Sequence, residues 1–122
     1  MTLSVTTRTA DDCTVVTASG DVDISTSPEL RSALAEVTAA GAGSRAIVVD
    51  LGDVSFVDST ALGVLVGAYT AIRNKGGRFA IVNDHESVLK VLRITALHDV
   101  LGARPTLAEA IAAVTRPVPA AD

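Results

Sequence analysis

The run Ala46-Ile47-Val48-Val49 is short, uninterrupted and mostly β-branched, and downstream of it Leu62, Leu65, Val66, Tyr69 and Ile72 fall at helical spacing. A run of that composition reads as a strand covered on both faces, whereas the second pattern is one apolar stripe of an amphipathic helix. The pattern repeats: Phe79-Ala80-Ile81-Val82 precedes Val88, Leu89, Leu92 and Ile94. Buried strands alternating with helices constrain the chain to an α/β fold with a mostly parallel sheet.

The remaining segments extend this reading. Leu3–Thr9 and Cys13–Ser19 alternate as strands joined by the polar link Ala10-Asp11-Asp12, a hairpin whose first strand is an antiparallel edge partner. Thr26-Ser27-Pro28-Glu29 combines a capping box with a proline in the first turn, ahead of Leu30, Leu34 and Val37. Gly41-Ala42-Gly43-Ser44 ends that helix, and a strand follows over Arg45–Leu51. The next helix runs from Ser59 to about Lys75 and stops at Gly76-Gly77. Gly63 and Gly67, one turn apart in it, are expected to let it approach the sheet closely. Asn83-Asp84 is expected to cap a third helix, Val100-Leu101 to form a short last strand, and Thr106-Leu107-Ala108-Glu109 to open a final helix through Val114. Arg116-Pro117-Val118-Pro119 begins a tail with little to bury. The expected organisation is one domain over residues 1–115 and a flexible tail over 116–122, a small mixed sheet carrying about four helices. A chain of 122 residues holds one core, and with two Phe, one Tyr and no Trp that core is aliphatic.

The chemistry concentrates in Val57-Asp58-Ser59-Thr60-Ala61-Leu62-Gly63. Here a hydroxyl stands where the chain turns into a helix, so a phosphate on it would meet unpaired amides and the positive dipole end. Ser and Asp are also preferred N-caps, and a purely local capping role for Ser59 is the competing reading. Asp21 and Asp23 follow one strand and Asp53 ends the region of the next. If those strands are parallel neighbours, the three carboxylates join Asp58 and Ser59 at one sheet edge, where open α/β folds place their sites.

Several classes of function are disfavoured. A net charge of −4 and the shortage of aromatic platforms argue against nucleic acid. Residues 1–60 hold nine acidic and three basic side chains, residues 61–122 five and seven, which suggests that the acidic edge meets a basic partner. No run approaches the roughly 20 apolar residues that span a bilayer, and Met1-Thr2-Leu3-Ser4-Val5 lacks the order of a secretion signal. The single Cys13 fits a reducing cytoplasm. Neither glycine-rich phosphate loop is present, and Ser59 lacks the Gly-x-Ser-x-Gly setting of a nucleophile elbow. His85 and His98 read as surface or helix-boundary residues. The carboxylates could attract a metal, but short acidic side chains favour loops and caps for local reasons, and no metal site is expected.

The blocks Gly20-Asp21-Val22-Asp23, Thr26-Ser27-Pro28-Glu29-Leu30-Arg31, Val48-Val49-Asp50-Leu51 and Phe56-Val57-Asp58-Ser59-Thr60-Ala61-Leu62-Gly63-Val64-Leu65 together resemble the STAS domain of bacterial anti-sigma factor antagonists. The resemblance spans about residues 3–114. It implies a small sheet with helices on one side, and a protein that in its unmodified form binds an anti-sigma factor with serine kinase activity and releases the sigma factor. It places the phosphoacceptor on Ser59, with Thr60 as the alternative, and the block's acidic position on Asp23. It also implies a serine phosphatase acting on the phosphorylated form, no catalytic group and no cofactor in this chain, and a cytoplasmic setting without nucleic acid or membrane. Ala61 stands where many members have Gly, a departure that stiffens the helix start. The expected partner surface comprises Asp21, Asp23, Asp58, Ser59 and Thr60 with the exposed face of the Ser59 helix, which is expected to supply the apolar contacts. The alternatives are a STAS subunit of another complex, in lipid transport or stress signalling, and a small nucleotide-binding domain.

Overall fold

In the computed structural model, which describes residues 3–10, 12–39 and 46–115, strand β1 (Ser4–Ala10) turns back onto β2 (Cys13–Ser19). Asp12 takes a φ of 65° in that turn, a conformation Asp tolerates better than most residues. The pair is antiparallel from Ser4 opposite Ser19 to Ala10 opposite Cys13. Thereafter helix α1 (Ser27–Ala39) leads to β3 (Ala46–Asp53), α2 (Ser59–Asn74) to β4 (Arg78–Val82), α3 (Glu86–Ile94) to β5 (Ala103–Arg104), and α4 (Leu107–Thr115) closes the order. The sheet runs β1-β2-β3-β4-β5, with every pair after the first parallel, so the expected mixed sheet with one antiparallel edge is the observed one.

Alternation along β3 divides the core. Ile47, Val49 and Leu51 join Leu30, Leu34, Leu65, Ile72, Val88 and Leu92 in a cluster on the face covered by α1, α2 and α3. Val48 points the other way, toward Val15, Ala80, Val82 and the α4 residues Ala110 and Val114. The helices therefore cover both faces, which corrects the expectation of helices on one side. Both faces of β3 are apolar, so α4 has a hydrophobic surface of its own to bury.

Two expected elements move. Val100-Leu101 is not a strand, because Leu101 is wholly buried in a helical turn whose amide donates to the Leu97 carbonyl at 2.9 Å. Gly102 then takes a φ of 65° and reverses the chain, so that Ala103 and Arg104 pair with Ile81 and Val82. Ile94 leaves the apolar face of α3: two residues past the buried Leu92, it lies on the opposite side of the helix and is 73% exposed. The stop at Gly76-Gly77 holds, with Gly76 at a φ of 76° and the Gly77 amide donating to the Ile72 carbonyl at 2.8 Å. At the start of α4 Thr106 Oγ1 accepts from the Glu109 amide at 3.2 Å, as a capping box requires. Asp11 of the hairpin link, the Gly41–Ser44 terminator, Arg45 and the tail 116–122 lie outside the described residues. Among the described residues no helix is long and apolar enough to cross a membrane.

Candidate functional site

Because β2 and β3 are parallel, their carboxyl ends open on one edge, and the two segments leaving them are joined before either helix begins. The Val22 amide donates to the Phe56 carbonyl at 3.1 Å, and the Asp58 amide donates to the Val22 carbonyl at 3.3 Å. Val22 and Val57 form a parallel bridge and are both buried. Their chain neighbours Asp21, Asp23, Phe56 and Asp58 are partly or fully exposed around the buried pair, in the alternation expected of extended chain. Asp53, at the exposed end of β3, pairs in register with Ser19. The sheet thus brings Asp21, Asp23, Asp53, Asp58, Ser59 and Thr60 to a single edge.

Asp23 is the hub of a tight turn. Its Oδ1 accepts from the Ser25 hydroxyl at 2.7 Å, the Ser25 amide at 2.9 Å, the Thr26 amide at 3.1 Å and the Thr26 hydroxyl at 3.2 Å. The Ser25 hydroxyl is the largest influence holding this carboxyl below the usual range; burial opposes it, and the two amides and the Thr26 hydroxyl reinforce it. The Thr26 hydroxyl shares its single proton between Asp23 Oδ1 and the nearer Asp21 carbonyl at 2.7 Å, and Oγ1 accepts from the Asp23 amide at 3.0 Å. The capping box expected at Thr26 and Glu29 is therefore not formed through that hydroxyl, which ties the turn backward instead.

On the neighbouring segment the N-cap of α2 is Asp58, not Ser59. Asp58 has extended backbone, and its Oδ1 accepts from the Ala61 amide at 3.0 Å. Ser59 is the first helical residue and is exposed; Thr60 is half-buried. The Leu62 amide donates to the Asp58 carbonyl, so among the orphan donors of the first turn those of Ser59 and Thr60 remain available to an anion. Gly63 and Gly67 face outward, and a Cβ on either would meet nothing within 4 Å. They do not bring the helix onto the sheet, as the sequence suggested. They line a shallow groove of about 200 Å³ between α1 and α2, with Arg31, Leu34 and Ala35.

A residue read only as a helix cap braces the site from behind. Asn83, 1% exposed at the end of β4, donates from Nδ2 to the carbonyls of Leu51 at 2.7 Å and Val54 at 2.9 Å, and its Oδ1 accepts from the His85 amide at 2.8 Å. The N-cap of α3 is His85, without a side-chain cap. Ser87 Oγ adds a bond to the Ser55 carbonyl at 2.8 Å. Sequence reasoning also passed over Ile24 and Phe56, which hydropathy alone assigns to an interior. Among the described residues no group of three or more His, Cys, Asp or Glu could hold a metal ion. His98 Nδ1 lies 2.9 Å from Asp99 Oδ1, and no histidine hydrogen-bonds to Ser59.

A family model described as the STAS domain matches residues 4–110. The anti-sigma-B factor antagonist of Bacillus subtilis (strain 168) is 32% identical over 101 residues, covering 83% of this chain and 90% of the Bacillus protein. The protein of the same name from Staphylococcus aureus (strain NCTC 8325) is 33% identical over 101 residues, covering 83% and 92%. Among solved structures, an anti-sigma factor antagonist from Mycobacterium paratuberculosis superposes with a TM-score of 0.83 at 28% identity, over 92% of this chain and 93% of the other.

Proposed function

The chain belongs to the STAS domain family, and from that premise we propose that it is an anti-sigma factor antagonist whose unphosphorylated form binds an anti-sigma factor and is switched off by phosphorylation at Ser59. The observation that carries the reading is the division of labour at the start of α2. Asp58 supplies the cap, so the Ser59 hydroxyl is exposed and not needed for the fold. The names of the relatives support the partner class, an anti-sigma factor. On this reading the anti-sigma factor is itself the serine kinase, a serine phosphatase restores the active form, and the module acts in the cytoplasm. It comprises residues 1–115, with 116–122 outside it. Its role is regulatory, and ATP and magnesium belong to the kinase.

The switch follows from charge. Phosphate on Ser59 adds about −1.5 to −2 charges at neutral pH to an edge already carrying Asp21, Asp23, Asp53 and Asp58. The free amides of Ser59 and Thr60 and the helix dipole accommodate it locally, worth about 0.3 to 1 kcal/mol. A docked partner must instead desolvate the new dianion or withdraw. A loss of about 2.7 kcal/mol weakens binding about a hundredfold. Refolding of this chain is not required.

The test is incubation with the anti-sigma kinase encoded in the same genome and ATP, read by intact mass. Wild-type protein should gain one phosphate and Ser59→Ala none, with both equally folded. Unchanged incorporation in Ser59→Ala would refute the site, and mapping to Thr60 would move it by one residue.

A further inference from the structure

Four large apolar side chains are exposed among the described residues, and two of them, Ile24 at 75% and Phe56 at 50%, lie on the paired segments at the switch edge. Single exposed apolar residues are ordinary on a protein surface. These two are distinguished by where they stand, on hydrogen-bonded backbone beside Ser59. Ile24 follows Asp23 inside the turn closed by Ser25 and Thr26. Phe56 is fixed through its own carbonyl, which accepts from Val22. Backbone already ordered before contact avoids the entropy cost of fixing these loops on binding.

The alternative source of apolar contact is thin. The outward positions of α2 are Ser59, Gly63, Gly67, Thr70 and Arg73, with no large apolar side chain among them. We infer that Ile24 and Phe56 are the hydrophobic anchors of the docking surface, received by an apolar pocket on the anti-sigma factor whose rim carries Lys and Arg. The identity of the occupant rests on the function proposed above. It is supported by continuity with the Ser59 edge and by the carboxylates of Asp21, Asp23, Asp53 and Asp58 on the same segments. An apolar centre within a charged rim is the usual anatomy of a tight protein interface. The division of roles is kinetic: the carboxylates set the salt-dependent on-rate, and the anchors set the off-rate.

Ile94 and Val100, 73% and 46% exposed, provide an internal control away from this edge. The anti-sigma kinase is immobilised, and binding kinetics are measured for wild-type protein and for Ile24→Ser, Phe56→Ser and Ile94→Ser, with thermal melting as the check on folding. Ile24→Ser and Phe56→Ser should each raise the off-rate about tenfold, about 1.4 kcal/mol, with little change in the on-rate. The KM of each as a kinase substrate should rise in step at unchanged kcat. Ile94→Ser should match wild type, and Phe56→Leu should recover most of the loss. If wild-type protein is bound and phosphorylated but the two edge variants dissociate within twofold of it, the anchor assignment fails while the proposed function stands. An equal effect from Ile94→Ser also overturns the assignment. If wild-type protein is neither bound nor phosphorylated, the proposed function fails, and the anchors with it.

Discussion

Asn83 should govern the stability of the switch edge, although it contributes nothing to its surface. The perturbation is Asn83→Ala, which deletes three hydrogen bonds of 2.7, 2.9 and 2.8 Å from a side chain that is 1% exposed. A satisfied hydrogen bond contributes a net of about 1 kcal/mol, and leaving a buried acceptor without a donor costs about 1 to 3 kcal/mol. The consequences differ by acceptor. The Leu51 carbonyl keeps the Val54 amide as a donor at 2.9 Å, whereas the Val54 carbonyl loses the side-chain donor it now has. The expected loss is about 3 to 4 kcal/mol, a large part of the roughly 5 to 15 kcal/mol of a typical domain. In urea, at a slope of about 1.5 kcal/mol per molar, the midpoint should fall by roughly 2 M without a change in slope.

The substitution Asn83→Asp sharpens the test, because it keeps the shape and removes the donors. At neutral pH it places a carboxylate against two carbonyl oxygens, so N83D should be less stable than N83A. A carboxyl that is disfavoured when ionised has a raised pKa in the fold, so N83D should regain stability as pH falls and the group takes up a proton. Hydrogen exchange should accelerate over Asp53–Asp58 before it does in β2. A loss below 1 kcal/mol for N83A, or no pH dependence for N83D, would refute the claim that Asn83 holds this segment.

Four further outcomes are expected. Asp58→Ala should cost about 1 kcal/mol through loss of the α2 cap while Asp58→Asn costs less, measured by denaturant unfolding. Gly67→Ala should stabilise the protein by up to about 1 kcal/mol, since the new Cβ meets nothing within 4 Å and helix propensity improves. Gly102→Ala should destabilise it in the same assay, because φ is +65° and the Cβ would lie 3.0 Å from the Phe79 carbonyl oxygen. Asp23 should titrate below the ordinary Asp value of about 3.9 by carboxyl NMR. Its depressed pKa gives stability that is present above about pH 3.9 and lost as pH falls through the lower folded value, and Ser25→Ala should move the titration upward.

How legible the fold was depends on whether the signal was local. The strand Ala46-Ile47-Val48-Val49 is readable because it is apolar on both faces, but for the same reason it does not say which face each helix covers. That is why the position of α4, packed on Val48, Ala80 and Val82, came only with the structure. Glycine carries no hydropathy, so the spacing of Gly63 and Gly67 fits an inward or an outward stripe equally, and burial of Leu62 and Leu65 decided for outward. Asp58 and Ser59 are both competent caps, and their order in the chain does not say which one takes extended backbone. Asn83 next to Asp84 resembles a helix start, and its actual partners, Leu51 and Val54, are remote in sequence.

The same contrast explains why the candidate site was half visible. Its polar members are short-range objects: Asp23 bonds two and three residues ahead, and Asp58 three ahead, so turn and cap chemistry marks them in any single sequence. Its apolar members run against the pattern, because Ile24 and Phe56 expose surface that burial would favour by about 25 cal/mol per Å². Hydropathy alone gives no reason for Phe56 to be exposed when Val54 and Val57 beside it are buried. The reason is geometric. The bridge of Val22 to Val57 commits those two side chains inward, and extended chain then turns Phe56 outward beside Asp58. The backbone pairing that buries Val57 is thus what presents Phe56 beside the switch, and a variant that frees Val22 from Phe56 should lose the docking geometry before it loses the fold. Val22→Pro removes the amide that donates to the Phe56 carbonyl. Weakened partner binding with Asp58 still capping α2 would support this ordering, and normal binding by that variant would overturn it.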